Sequence, residues 1–191
     1  TLSGTAEPNS FVAVSVDGVV VCNATTSNSG AWSCVSIITI ADGAHIATAT
    51  AGDAVGNTSS RSEDRPFTID TTAPIPPVLT APVSGQRFNV SQPTFTGTAE
   101  EGTTVTIRVD GSIVCTAVTT AMGTFSCQST TPLPEGAHQA VATARDAAQN
   151  TSGSLPATPF TIDTLAPVTP AITSPSANAV LNVARPTISG T

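Results

Sequence analysis

The chain has 191 residues, the length of one or two domains, and it carries a net charge of −7 with only 10% charged residues. All 6 basic residues are Arg, too few to neutralise a nucleic-acid backbone, so nucleic acid is not an expected partner. The apolar runs are far shorter than the roughly 18 residues that a membrane span requires, and we expect any export signal to lie outside these residues.

The sequence repeats itself at a fixed spacing. The motif GTAE occupies residues 4–7 and recurs 93 residues later at 97–100, and PFTIDT occupies 66–71 and recurs at 159–164. The same spacing relates further single residues: Cys22 and Cys115, Cys34 and Cys127, His45 and His138, Asp53 and Asp146. A fixed spacing of this size indicates a repeat of one whole domain.

Domain boundaries are predicted near residues 72 and 165, where an Ala-Pro pair follows each PFTID segment. This division gives a first copy without its opening strand, a complete copy, and the opening strands of a third: residues 1–72, 73–165 and 166–191. Such a frame is expected for a segment of a longer array. The alternative is that residues 166–191 complete the open domain of a neighbouring molecule by strand addition, which would produce a homopolymer.

Short strand signals follow one another along the complete copy, whereas helix signals are nearly absent. An alternating segment with Val105, Ile107 and Val109 ends at the pair Asp110 and Gly111, which is typical of a two-residue hairpin turn. The other predicted strands are residues 77–80, a strand beginning at Pro93, 113–115, 124–127, 138–145 and 159–163. About seven strands in a 93-residue copy predict an all-β fold, with tandem immunoglobulin-like sandwiches.

The two cysteines of each copy lie on what the pattern predicts to be two strands of one hairpin. Opposite Cβ atoms of paired strands are close enough for a disulfide after a small adjustment. We therefore expect the bridges Cys22–Cys34 and Cys115–Cys127, which require an oxidising compartment. These spacings are too short for the usual bridge between sheets, so we expect a sandwich without it and, as the chain has no Tyr, without a tyrosine corner. Two alternatives remain open: free buried thiols, or a zinc site that adds His45 to the first pair.

Four segments of the first copy carry a family resemblance: GTAEPNSFVAVSVDG (residues 4–18), GAWSC (30–34), ADGAHIATATAGDAVGNTS (41–59) and FTIDTTAP (67–74). Together they resemble the bacterial Ig-like repeats found in tandem in large cell-surface adhesins and related secreted proteins. The resemblance extends over the whole chain. It implies an extracellular rod of stacked sandwiches that holds a binding tip away from the cell. The second copy departs from the family pattern at Gln149, where glycine is usual before Asn.

Acidic residues are predicted to gather at the joint between the first two copies. The loop after the second strand and the loop between the last two strands meet at one end of such a sandwich. These loops and the preceding linker contribute Asp70, Glu100, Glu101 and Asp146. Calcium prefers oxygen ligands of this kind, and some bacterial Ig-like relatives hold calcium between domains, so these four residues are predicted calcium ligands. The alternative is that Asp146 and Asn150 only hydrogen-bond their own loop.

No catalytic pattern accompanies these features. His45 and His138 are the only histidines, and with no nucleophile near them in the sequence we expect them to pack at the start of a strand. Trp32 and Phe125 occupy equivalent positions, and we expect a core role for both. We therefore predict a protein that is not an enzyme.

The leading functional prediction is a structural stalk segment at the bacterial cell surface or in a surface filament. Its partners would be neighbouring Ig-like repeats of the same chain or filament. The alternative is an accessory module of a secreted enzyme that binds carbohydrate or protein through its loops.

Overall fold

The computed structural model describes residues 1–191, and its regular secondary structure consists of β-strands. It contains no helix that is long and apolar enough to cross a bilayer. The first copy contains β1 (Leu2–Thr5), β2 (Phe11–Val16), β3 (Val19–Thr25), β4 (Ala31–Cys34), β5 (Gly43–Gly52) and β6 (Arg65–Ile69). The complete copy contains β7 (Val78–Ala81), β8 (Gln86–Phe88), β9 (Thr94–Thr98), β10 (Thr104–Val109), β11 (Ser112–Val118), β12 (Thr124–Gln128), β13 (Gly136–Arg145) and β14 (Thr158–Ile162). The last segment contains β15 (Ile172–Ser174) and β16 (Ser189–Gly190).

The complete copy is a sandwich of two sheets. One sheet has the strand order β11-β10-β13-β14-β8, and the other has the order β12-β9-β7. All neighbours are antiparallel except β8, which pairs parallel to β14. The predicted all-β immunoglobulin-like class is confirmed. The copy has eight strands instead of about seven because β8, with only 3 residues, is too short to show an alternating pattern.

Alternation along the sequence determines which side chains enter the core. In β10, Val105, Ile107 and Val109 are buried, while the side chains between them are wholly or partly exposed. The long strand β13 contributes small residues to the same core, and Ala142 lies opposite Ile107 in the ladder. Phe95 and Phe125 of the other sheet pack into this core. Burial of each Val or Ile stabilises the copy by roughly 1.5 to 3 kcal/mol.

Two-residue turns join the paired strands β2 to β3 and β10 to β11. Asp17 and Gly18 have φ angles of 51° and 81°, and Asp110 and Gly111 have φ angles of 50° and 86°. Left-handed backbone at both central positions is the geometry of the hairpin turn whose twist matches that of the flanking strands. The Asp-Gly pairs therefore fix the register of these hairpins.

The first copy has the same arrangement with fewer strands. Its sheets have the orders β3-β2-β5-β6 and β1-β4. No described strand occupies the two positions that β7 and β8 take in the complete copy, so one edge of β1 and one edge of β6 are unpaired. Three apolar side chains are partly exposed as a result, whereas their counterparts 93 residues later are buried: Leu2 and Phe95, Trp32 and Phe125, Phe67 and Phe160.

Candidate functional site

Each copy contains one disulfide, formed by the pairs Cys22–Cys34 and Cys115–Cys127. The two Cα atoms of each pair lie 6.1 Å and 6.0 Å apart, respectively. No cysteine is free, so no thiol is left to stay unpaired or to bind zinc.

The prediction that each disulfide joins two strands of one hairpin is wrong. Cys115 lies on β11 in the five-stranded sheet, whereas Cys127 lies on β12 in the three-stranded sheet. Residues 119–123 cross from one sheet to the other at the edge of the sandwich, and the sequence pattern of such a crossing resembles that of a hairpin loop. The bridge therefore does link the two sheets, which the short cysteine spacing had argued against.

Each histidine is bound between a turn carboxylate and a loop carbonyl. In the complete copy, His138 Nδ1 lies 2.7 Å from Asp110 Oδ2, and His138 Nε2 lies 2.9 Å from the Pro134 carbonyl oxygen. In the first copy, His45 makes the same contacts with Asp17 at 2.7 Å and with the Ala41 carbonyl at 2.8 Å. Both ring nitrogens face acceptors, so both must carry protons for both hydrogen bonds to form.

The surroundings of both histidines favour the charged imidazolium. Burial of the His138 ring opposes the charge, but the hydrogen bonds to Pro134 and Asp110 outweigh it, and the pKa of His138 is raised. The hydrogen bond to Asp17 raises the pKa of His45 in the same way. The ring is already engaged on both sides, so neither histidine is available as a general base.

Asp42 of the first copy binds the linker that follows this copy. Its Oδ1 accepts hydrogen bonds from the Thr71 backbone N at 3.1 Å and the Thr71 hydroxyl at 2.8 Å, and its Oδ2 accepts one from the Thr72 hydroxyl at 2.9 Å. The hydrogen bonds from Thr71, and then that from Thr72, lower the pKa of Asp42. In the complete copy, Glu135 accepts hydrogen bonds from the backbone N and hydroxyl of Thr164 in the same place.

Asn150 of the complete copy binds the same linker. The Asn150 Nδ2 donates to the Asp70 carbonyl oxygen at 3.0 Å and to Asp146 Oδ2 at 2.9 Å. Asp146 Oδ1 accepts the Asn150 backbone N at 2.9 Å, which fixes the loop that carries the amide. We call the set Asp42, Asp70, Thr71, Thr72, Asp146 and Asn150 the interrepeat joint, because it binds the linker from both copies.

The first copy has a matching loop that holds no linker among the described residues. Asp53 Oδ1 accepts the Asn57 backbone N at 2.8 Å, and Asp53 Oδ2 accepts the Asn57 Nδ2 at 2.6 Å. These hydrogen bonds from Asn57 lower the pKa of Asp53. Both loops thus share the hydrogen bonds from Asn to Asp, and Asn150 makes an additional contact with the linker.

Asp70 and Asp146, two of the four predicted calcium ligands, already have hydrogen-bond partners in the joint. Both Asp146 oxygens accept from Asn150, as the alternative interpretation of this loop expected. Asp70 Oδ1 accepts the Thr72 backbone N at 3.1 Å. Three of these four carboxylate oxygens thus accept hydrogen bonds from nitrogen donors.

Glu100 and Glu101 are the other two predicted ligands. The Glu100 backbone carbonyl accepts the hydroxyls of Thr103 and Thr119, each at 2.7 Å, and Glu101 is exposed. No three His, Cys, Asp or Glu side chains are grouped so that they could hold a metal ion. Asp70, Glu100, Glu101 and Asp146 form no such group, and interdomain calcium stays a prediction.

Sequence reasoning missed the acidic partners Asp17, Asp42 and Asp110. Asp17 and Asp110 belong to turns 28 residues before the histidines that they bind, and a fixed Asp-to-His spacing in both copies was the available signal. Asp42 precedes Gly43 in a position where Glu135 precedes Gly136 in the other copy. That repeated acidic residue was visible, but its contact with the linker depends on the fold.

A family model for the bacterial Ig-like domain matches residues 1–71 and 83–164. No similar sequence is found among curated proteins. The chain is similar to the fibronectin(III)-like modules of CbhA from Clostridium thermocellum, with a TM-score of 0.55, 20% identity, and coverage of 83% of this chain and 80% of that chain. It is also similar to the BSP domain of a biofilm associated protein, with a TM-score of 0.38, 20% identity, and coverage of 86% of this chain and 28% of that chain.

The TM-score of 0.55 with the CbhA modules shows a shared fold. At 20% identity, the similarity shows the fold alone. The two family matches fall on the two copies that carry the sandwich sheets, and together they span most of the chain. The repeated motifs, the two-sheet architecture and this match agree: the chain belongs to the bacterial Ig-like domain family.

Proposed function

We propose that the chain is a segment of an extracellular stalk, in which tandem Ig-like sandwiches act as stiff spacers and carry tensile load. Its partners are neighbouring repeats of the same chain or filament. It performs no catalysis. The observation that carries the proposal is the interrepeat joint, where the Asp42 carboxylate and the Asn150 amide bind one linker from opposite copies.

The joint supports the proposal because a stiff rod needs restricted motion between its units. A free linker of Thr, Ala and Pro would allow the copies to reorient, whereas hydrogen bonds from both neighbours oppose this. Pro74, Pro76 and Pro77 follow the bound residues and fix further backbone angles. Pro77 is fully buried, so the linker also packs against the complete copy.

The disulfides support an extracellular location and a mechanical role. Bonds of this type persist in oxidising compartments outside the cytosol. Each disulfide closes a loop around the segment that crosses between the two sheets. When a copy unfolds, the residues between its two cysteines therefore cannot be stretched out. The surface supports scaffolding over sugar binding, since Phe11 is the one aromatic side chain that is strongly exposed, at 53%.

Joint rigidity is tested by the distance between spin labels placed on equivalent exposed positions of the two copies. Val20 and Ile113 are 50% and 52% exposed, and Cys at these positions can be labelled while the native cysteines remain in disulfides. We expect a narrow distance distribution for the otherwise native chain. Asn150→Ala removes the hydrogen bond to the Asp70 carbonyl and should widen the distribution.

Asn57→Ala is the matched control, because Asn57 makes the same loop contacts with Asp53 but holds no linker in this chain. It should leave the distance distribution unchanged. A broad distribution in the otherwise native chain, or equal widths with and without the Asn150 amide, would contradict the stiff-spacer proposal.

A further inference from the structure

Asp42 binds the linker from a short loop that a histidine ring closes. The Ala41 carbonyl oxygen lies 2.8 Å from His45 Nε2, so the ring bridges the chain on either side of Asp42. β5 pairs with β6 as far as Gly43, which lies opposite Ile69. Asp42 comes directly before this ladder and has no partner strand there. The contact between the ring and the Ala41 carbonyl is therefore what restrains the backbone next to Asp42.

The turn between β2 and β3 fixes the other side of the same ring. His45 Nδ1 lies 2.7 Å from Asp17 Oδ2. Asp17 is itself bound to β5, because its Oδ1 accepts the Ile46 backbone N at 2.9 Å and its backbone N donates to the Ile46 carbonyl oxygen at 3.0 Å. The ring packs against Phe67 of β6 at a centroid distance of 5.6 Å. It thus connects a firmly held turn to the loop that carries Asp42.

The complete copy repeats this arrangement at the end where its own following linker begins. His138 connects Asp110 to the Pro134 carbonyl oxygen. Glu135, the next residue after Pro134, accepts a hydrogen bond from the Thr164 backbone N at 3.0 Å. The residue that binds the linker is an aspartate in one copy and a glutamate in the other, yet the histidine and both of its acceptors recur. This recurrence indicates that the ring and the acidic residue beside its carbonyl acceptor act together.

We propose that His45 is a positioning residue for the interrepeat joint: its protonated ring holds Asp42 where the carboxylate binds Thr71 and Thr72. The inference rests on the proposed function, in which the joint limits motion between the copies. His45 does not touch the linker and acts through the loop that carries Asp42. The stiffness of the joint then depends on the protonation of this one ring.

A neutral ring cannot make both contacts, since only one of its nitrogens then carries a proton. Asp17 is a charged acceptor, whereas the Ala41 carbonyl is a neutral one, and the charge-assisted hydrogen bond is the stronger of the two. The remaining proton therefore stays on His45 Nδ1, and Nε2 directs a lone pair at the Ala41 carbonyl oxygen. Repulsion between these two atoms releases the loop. The joint is stiff while the ring is charged and becomes more mobile as the pH rises.

Few other charged groups surround the ring. Asp17 is the one carboxylate among the residues that line the pocket beside it, and β2 contains no charged residue. Asp42 and Asp70 are the acidic residues of the adjoining loop and linker. On β6, Arg65 lies opposite Ala47, one row of the ladder away from the two residues nearest the ring. Histidine is the side chain whose charge ordinarily changes near neutral pH, so a change in the joint there reports on the ring.

The width of the distance distribution between spin labels at Val20→Cys and Ile113→Cys tests the proposal when it is measured across a pH series. The distribution should be narrow below the ordinary histidine value of 6.5 and should widen as the pH rises above it. His45→Gln should give the wide distribution at every pH. Asp42→Ala removes the carboxylate itself and should set the upper limit of the width. In that background His45→Gln should add nothing, because the ring acts through Asp42.

His138→Gln is the matched control. It removes the equivalent ring, and Ile113 has the same position relative to His138 as Val20 has relative to His45, 93 residues earlier. A purely local effect on a label would therefore appear in both variants. His138 lies beside Thr164 and not beside the linker between the two copies, so His138→Gln should retain the narrow distribution and its widening with pH.

The outcomes separate this inference from the stiff-spacer proposal. A width that does not change with pH, or equal widening by His45→Gln and His138→Gln, would overturn the role of His45. If Asn150→Ala still widened the distribution, the stiff spacer would remain. A broad distribution in the otherwise native chain at every pH would overturn both. The pH series retains the native ring, so it gives an answer even where His45→Gln destabilises the first copy.

Discussion

The Nδ1 atom of His138 lies 2.7 Å from Oδ2 of Asp110, so one hydrogen bond ties the long strand β13 to the turn after β10. The same pair recurs in the first copy as His45 and Asp17, also at 2.7 Å. A charge pair repeated at the same place in both copies makes the stability of each copy depend on pH.

The raised pKa values of His138 and His45 predict lower stability in alkaline solution. A histidine whose pKa is raised by folding stabilises the protein fully below its ordinary value of 6.5, and this contribution is lost as the pH rises through the folded-state pKa. The melting temperature should therefore fall as the pH rises above the ordinary value of 6.5. Calorimetry of the native chain at a series of pH values measures this fall.

The lowered pKa values of Asp17 and Asp110 predict lower stability in acidic solution. Their contribution is present above the ordinary value of 3.8 and is lost as the pH falls through the folded-state pKa. Maximal stability is expected between about pH 4 and 6. His138→Gln should flatten the alkaline fall of the complete copy, whereas Glu101→Gln, which removes an exposed carboxylate, should retain it. An unchanged alkaline slope in the His138→Gln variant would refute this role.

The disulfide between Cys22 and Cys34 should stabilise the first copy by about 3 kcal/mol, since it closes a short loop in the unfolded chain. Trp32 reports this copy alone, so urea unfolding followed by its fluorescence isolates the effect. Replacement of both cysteines by Ala should shift the fluorescence transition to lower urea. The same replacement at Cys115 and Cys127 should leave that transition in place and shift only the circular dichroism signal of the complete copy. Equal fluorescence shifts for the two double variants would show that the copies do not unfold separately.

Gly97 is predicted to tolerate no side chain. A Cβ atom there would overlap the Val78 carbonyl oxygen and lie 2.6 Å from the Phe125 ring. Gly97→Ala should therefore destabilise the complete copy by about 1 to 3 kcal/mol, as overpacking does in other cores. Gly153→Ala is the control, because the nearest atom to its new Cβ is in Pro76 at 4.0 Å. Thermal unfolding that places both variants at the same melting temperature would contradict the tight approach of β7 to β9.

The fold class was predictable from the sequence because alternation in segments such as β10 and turns such as Asp110-Gly111 are local signals. The crossing between β11 and β12 was not predictable from the sequence. A five-residue connection has the same composition whether it joins two strands of one sheet or strands of two different sheets. The joint was equally inaccessible: Asn150 reaches the Asp70 carbonyl across 80 residues of sequence. Local turn chemistry predicted the hydrogen bonds between Asp146 and Asn150. The contact of Asn150 with the linker depends on where the preceding copy lies.

The proposed stalk carries tensile load, and single-molecule stretching of the chain by its two ends measures directly how each disulfide-closed copy resists extension. The complete copy should unfold in one abrupt step. Reduction of the disulfides should lengthen that step by about 40 Å, because the 12-residue separation of Cys115 and Cys127 is then released at roughly 3.6 Å per residue. A chain that extends gradually without an abrupt step, or a step of the same length before and after reduction, would contradict the account.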